Sequence, residues 1–145
     1  MDSLPNIIDV DTYEEEGYAP VVDFQHWRVA LLNYIDELEA DKINNFHMHE
    51  ETDEVFVLLQ GRCILFAGEI GKSGGIDRVS ALDMKPNQLY TVKKGVYHTH
   101  TLSEDAKVLI VENQDTGDHN TPMVRTGDQE RVQLEHWVSK LWGTT

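Results

Sequence analysis

The sequence is short of three things, and each shortage removes a class of protein. It holds one cysteine, Cys63, in 145 residues, so no disulfide can form within the chain and a reducing, cytoplasmic setting is expected. Positive charge is scarce, with 12 lysines and arginines against 26 acidic residues and a formal net charge of −14. Nucleic acid and anionic membrane surfaces both require a basic footprint, so neither is an expected partner. The excess acid reads chiefly as solubility. Long apolar runs are also missing. None approaches the ~20 residues of a membrane span, and Met1-Asp2-Ser3-Leu4-Pro5 has neither the basic head nor the apolar centre of a signal peptide.

What remains is enough for one domain, long enough to bury roughly 70% of its unfolded surface. Residues 1–20 read as an acidic, irregular arm broken by Gly17 and Pro20, with Ile7, Ile8 and Val10 resting on the domain. Residues 21–116 read as a run of short strands. Trp27–Tyr34 is the first, with a helix as competitor because of its Ala and Leu content. Ile43–His49 follows, and Glu54–Gln60 is the clearest. Both faces of that last strand are apolar, so both are expected to be covered. Cys63–Ala67, Asp77–Leu82, Gln88–Val92, Val96–Leu102 and Ala106–Glu112 complete the series. Gly68-Glu69-Ile70-Gly71-Lys72-Ser73 invites a phosphate-loop reading, but Phe66 stands where that loop needs its first glycine. A hairpin tip is expected there instead. Residues 117–145 form an extension, with a helix over about 127–142. Leu134, Trp137, Val138, Leu141 and Trp142 share one face of it, and Thr126 with Gln129 resembles a capping box. That face is expected to cover a sheet or a neighbouring subunit. Many short strands with frequent turns indicate an all-β sandwich or barrel closed by one helix.

Chemistry concentrates in His47-Met48-His49-Glu50-Glu51-Thr52-Asp53-Glu54. Side chains alternate along a strand, so His47 and His49 share a face. Glu54 follows His49 at an odd offset, and a bend in the polar stretch between them is needed to bring it round. Two imidazoles and a carboxylate make most of a transition-metal site. His98 offers a further donor.

These residues carry a resemblance. His47-x-His49, four residues, Glu54, six residues and Gly61 match the HxH(x)4E(x)6G core of the first cupin motif, with Asp41 in place of its usual opening glycine. Gly95 and His98 match part of the second motif, PxGxxH(x)3N, while Lys93 and Leu102 replace its proline and asparagine. The resemblance covers about residues 24–113. It implies a single-domain cupin-type jelly-roll barrel, here with a C-terminal amphipathic helix. It nominates His47, His49, Glu54 and His98 as ligands of one divalent metal. Three imidazoles and one carboxylate leave two octahedral positions for water, dioxygen or substrate, and suit Fe, Mn, Ni or Zn alike.

Several other residues invite a role. His100, in phase with His98, reads as a fifth ligand, a general acid or base, or a barrel-mouth histidine bonded to a carbonyl. Tyr90 and Tyr97 are candidate substrate hydrogen-bonders or packing residues. Arg28 and Lys93 are candidates to hold an anionic substrate, or solvated charges. Cys63 reads as buried and inert, and His26, His119 and His136 as surface or structural. The function expected is a small-molecule metalloenzyme of dioxygenase, isomerase, lyase or decarboxylase type. The alternative is a non-catalytic barrel that binds or senses a metabolite. Covered strands and a two-tryptophan helix face further suggest a homodimer.

Overall fold

Period-two burial marks Glu54–Gln60 and Lys107–Asn113, and the computed structural model, which describes residues 7–143, has ten strands. They are β1 (Gly17–Phe24), β2 (Trp27–Asn33), β3 (Asn45–His47), β4 (Glu54–Gln60), β5 (Cys63–Ile70), β6 (Ile76–Asp83), β7 (Tyr90–Val92), β8 (Tyr97–Leu102), β9 (Lys107–Asn113) and β10 (Met123–Arg125), followed by helix α1 (Asp128–Trp142). Residues 1–6 of the expected arm, with the signal-peptide reading that rests on them, and residues 144–145 of the extension lie outside the described residues. No described helix is long and apolar enough to cross a membrane.

The strands form two five-stranded sheets, ordered β1-β2-β9-β4-β7 and β10-β3-β8-β5-β6. All the strand pairs are antiparallel. The inner faces enclose a core that includes Ala30, Leu32, Phe56, Leu58, Cys63, Leu65, Val108 and Ile110. Cys63 is buried within it, and burial pushes its thiol far above the usual range, consistent with an inert packing role. Gly61 ends β4 with φ +73°, and a Cβ there would lie 2.6 Å from the Cα of Ala106. The glycine of the first motif is therefore required both by the turn and by a close backbone approach.

A second apolar cluster lies on the outside of the second sheet, where α1 packs. Leu134 is fully buried there against Phe46, Ile64, Phe66 and Val79, with Trp137, Val138, Leu141 and Trp142 beside it. The Trp137 indole donates to the Val79 carbonyl at 2.8 Å, and the Trp142 indole to Asp83 Oδ1 at 2.9 Å. The helix thus covers its own sheet and not a neighbouring subunit. Its cap is also displaced from the expected pair. Glu130 Oε2 accepts from the Gly127 amide at 2.7 Å, while Thr126 Oγ1 is buried without a partner.

Two further expectations need correction. The arm gives way at Gly17 to a full strand, whose chain reverses at Gln25 (φ 50°) and pairs back on β2. Pro20 is accommodated because it lies on the edge strand of the sheet, with a register shift beside it. Ile7, Ile8 and Val10 are exposed, and the arm is held instead through the Tyr13 carbonyl, which accepts from Asn33 and Lys107. Within the single chain β4 is covered on one face, and α1, packed on the other sheet, does not cover its second face. Glu54, Phe56 and Leu58 point into the barrel, while Val55 and Val57 are half-buried and Leu59 is exposed.

Candidate metal centre

The two sheets face each other across the candidate centre and supply different chemistry to it. From the second sheet, β3 ends at His47, which pairs directly with His98 of β8. From the first sheet, β4 begins at Glu54. Between them, residues 48–53 leave the strand, which is the bend the odd spacing demanded. His49 hangs from that bend. Gly95, at φ +86°, donates its amide to the His49 carbonyl at 2.9 Å. The turn before β8 is therefore pinned to the segment that carries His49, despite the absent proline. Lys94 N also donates to Asp53 Oδ1 at 2.9 Å. Leu102, in the place of the motif's asparagine, is buried in the barrel core.

His47, His49, Glu54 and His98 each offer a donor atom, and all four atoms lie within 4.8 Å of one another. Glu54 Oε1 receives His98 Nε2 at 2.8 Å and His49 Nε2 at 3.2 Å. The outward nitrogens are also engaged. His98 Nδ1 donates to the Val96 carbonyl at 3.0 Å, and His49 Nδ1 lies 3.0 Å from Thr121 Oγ1. Such outer contacts fix ring orientation and turn the Nε2 atoms to the centre. Burial, then the neighbouring His98 and His100, lowers His47 to about 3, so its imidazole is neutral with a lone pair to give. Burial alone would raise Glu54, but its hydrogen bonds to His49 and His98 outweigh that and hold it well below the carboxylate range. Burial likewise opposes the charged form of His49, yet the Glu54 bond and charge raise it. Three borderline nitrogens and one ionised carboxylate fit a divalent transition metal.

His47, His49 and Glu54 of the centre line a cavity of about 380 Å³, within the range of small-molecule sites. Arg28 lines it, but not as a free cation. Its Nε and Nη2 donate to Glu112 Oε2 at 2.9 and 2.6 Å, Nη2 also to the Thr116 carbonyl at 3.1 Å, and Nη1 to the Gln114 carbonyl at 3.3 Å. Four of its five N–H bonds are committed within the chain, so Arg28 is neither the solvated charge of one reading nor an open fork for the anion of the other. The Tyr18 hydroxyl donates to the same Glu112 oxygen at 2.6 Å. Burial and the Glu112 contact push that phenol well above its usual range. Glu112 in turn lies beside Glu54, and burial together with that neighbour raises its carboxyl.

His100 lines the cavity too, outside the four-atom group. It is buried, its Nδ1 has no hydrogen-bond partner, and burial lowers it to about 4. Tyr90 and Tyr97 are elsewhere. The Tyr90 hydroxyl accepts from Lys85 N and donates to Gln88, both at 2.9 Å, while Tyr97 packs against the cluster under α1. Neither lines the cavity. Lys93 is exposed beside Asp53, and His119 is exposed beside Asp115.

Glu112 and Tyr18 were missed by sequence reasoning. Glu112 is in phase with the buried Val108 and Ile110, so alternation alone placed a carboxylate inside the barrel. Tyr18 was hidden because its strand read as an irregular arm.

With this geometry in place, solved structures can be compared. The fold is that of a cupin-type barrel. A cupin-2 domain protein from Shewanella frigidimarina aligns over 70% of this chain and 85% of its own, at 18% identity and a TM-score of 0.50. Pac13 from Streptomyces, described as a nucleoside dehydratase, aligns over 78% and 82% at 9% identity and a TM-score of 0.52. A variant of the 3,4-ketoisomerase QdtA from Thermoanaerobacterium thermosaccharolyticum aligns over 75% and 72% at 14% identity and a TM-score of 0.51. No protein-family model and no curated protein matches the sequence. Cupin-type barrels of this shape thus include enzymes, and this one has a His/Glu cluster that could hold a metal.

Proposed function

We propose that the protein is a metalloenzyme acting on a small organic molecule, with one divalent ion held by His47, His49, Glu54 and His98. The observation that carries this reading is four donor atoms within 4.8 Å of one another, three of whose residues, His47, His49 and Glu54, line a cavity open to a ligand. An ion there supplies Lewis-acid polarisation of a substrate oxygen. The chain does the rest. Val96 and Thr121 orient two of the imidazoles, Arg28 and Tyr18 hold Glu112 against the cavity wall, and Leu32 and Ile110 line it with hydrocarbon. His100, neutral and unpartnered at Nδ1, is the group left to hold or pass a proton. The enzymes among the structural neighbours, a dehydratase and a ketoisomerase, favour the lyase and isomerase end of the expected range.

A second reading rests on Glu54, whose carboxylate already joins two of the imidazoles. Donors that satisfy one another suit a barrel that binds a metabolite without turnover. Element-resolved analysis of untagged protein, beside His98→Ala, separates the two. Near-stoichiometric metal that is lost in the variant supports the enzyme. Metal-free wild type, grown with iron, manganese, nickel and zinc supplied, rejects it in favour of the binding barrel.

The setting proposed is cytoplasmic, from the single buried thiol, and the assembly a homodimer. Support for the dimer comes from the outer face of the first sheet. Val29, Val111 and Val55 lie side by side across three strands there, with Leu31, Leu109 and Val57 in the next row. All six are only partly buried.

A further inference from the structure

We propose that the protein has a second small-molecule site, in the side seam of the barrel, which takes an apolar molecule carrying one carboxylate. Its existence does not depend on the proposed metal centre.

The seam lies where the barrel fails to close. Among the described residues, β7 ends the first sheet and pairs only with β4, while β6 ends the second and pairs only with β5. With three residues against eight, β7 is too short to cover the inner face of β6. The register shows what is left bare. Leu82 stands opposite Leu65, and Ser80 opposite Ala67, so these side chains share a face. Leu65 belongs to the barrel core, yet Leu82 is 46% exposed. A cavity of about 520 Å³ stands over this uncovered inner leucine, a volume that suits a small molecule. It has no lining residue in common with the metal-side cavity, although His98, one of the four donors, forms part of its wall.

The composition of the wall selects the ligand. Leu65, Leu82, Leu89, Val92 and Val96 make it largely aliphatic. None of its lining residues is acidic, although the chain carries 26 acidic residues. The metal-side cavity, by contrast, has Glu37, Glu54, Glu112 and Asp118 in its wall. The one lysine or arginine of the seam is Lys93, and the neighbouring sequence extends the bias. Residues 84–103 include Lys85, Lys93 and Lys94 and no acid, a basic side on an acidic molecule. Lys93 Nζ lies 3.7 Å from Asp53 Oδ2, but both side chains are exposed, and such a pair is weak and exchangeable. The ammonium is thus free to turn to a ligand carboxylate at the mouth while an apolar tail or ring lies on the leucines and valines. A neutral apolar molecule leaves the lysine unused, and a small hydrophilic anion leaves the hydrocarbon unused. A molecule with both parts engages both.

The test uses three probes on the full chain, metal-loaded and chelator-treated. They are 3-phenylpropanoate, 3-phenylpropan-1-ol, which lacks the charge, and propanoate, which lacks the ring. Calorimetry gives the affinities, and methyl NMR of leucine, valine and isoleucine locates the site. In both preparations 3-phenylpropanoate should bind with a Kd below about 10 mM and shift the methyls of Leu82, Leu89 and Val92. It should bind about threefold tighter than the alcohol and about tenfold tighter than propanoate. No binding, an alcohol that binds as tightly, or shifts confined to Leu32 and Ile110 of the metal-side cavity overturns the proposal. Binding that requires metal also overturns it and leaves the metalloenzyme reading standing. Lys93→Glu should weaken 3-phenylpropanoate about tenfold and the alcohol less than about twofold. Leu82→Asp, which sets a carboxylate in the wall, should weaken 3-phenylpropanoate about tenfold. Leu89→Asp, at a fully accessible edge position, gives the same reading should Leu82→Asp fail to fold. Affinity unmoved by the charge reversal at Lys93, or by the new carboxylate, rejects the seam as the site.

Discussion

The two sheets have equal strand number and opposite chemistry. The first turns carboxylates and an arginine inward and leaves rows of valine and leucine bare outside. The second turns histidines inward and hides its outer hydrocarbon beneath α1. The ion-sized gap lies where the acidic inner face meets the basic one, so neither sheet holds a site alone. The outer faces teach a separate lesson. Apolar residues on both sides of a strand report that a cover is favourable, and they do not say whether a helix or another molecule provides it.

The comparison breaks most severely in acid. His47 and His100, neutral in the fold at about 3 and about 4, regain their ordinary affinity for protons on unfolding. The unfolded chain therefore binds more protons below about pH 6.5. Stability is full above that value and falls as pH drops toward 4, by about 3 kcal/mol for each histidine. His49, raised by Glu54, works in the opposite sense and offsets part of the loss. Melting metal-free protein in chelator from pH 7 to 4 should show a steep decline, and a flat profile would mean that these histidines are not buried neutral.

Next in size is the charged inner face of the first sheet. Arg28→Ala leaves Glu112 buried without its cation and should cost about 3–5 kcal/mol in denaturant unfolding, whereas a cost near zero would show Glu112 solvated or protonated. On the covered side, Leu134→Ala should cost about 2–5 kcal/mol, and a smaller loss would reduce α1 to an ornament. The smallest effect belongs to the bare face. Val57→Asp should shift unfolding of the isolated chain by about 0.5 kcal/mol or less, while converting a dimer to a 16.6 kDa monomer in sedimentation. Wild type already sedimenting at that mass would refute the dimer.

The candidate donors were legible because spacing in two short motifs survives translation into space. The bend between His49 and Glu54 could be required from an odd offset before its shape was known. The barrel followed from alternation with frequent turns. What escaped was partnership. Arg28 looked like a free cation because Glu112, its partner, lies on a strand 84 residues away. Of the two readings of Tyr90 and Tyr97, the contacts are those of packing residues: Tyr90 bonds to Lys85 and Gln88 beside it in sequence, and Tyr97 packs under α1. The strand at Gly17–Phe24 was lost to its proline, glycine and acid, which local propensity disfavours and pairing with β2 overrides.

The pairing of β2 with β9 joins residues 27–33 to residues 107–113, and Tyr18 reaches Glu112 across 94 positions. The first sheet thus sets two strands from the start of the chain, β1 and β2, beside β9 from far along it. A ribosome must deliver nearly the entire barrel before β2 meets β9, and the Val/Leu rows stay incomplete until then. Folding dominated by such distant pairings proceeds in ~milliseconds to seconds. During that interval the newborn polypeptide is a natural client for chaperones.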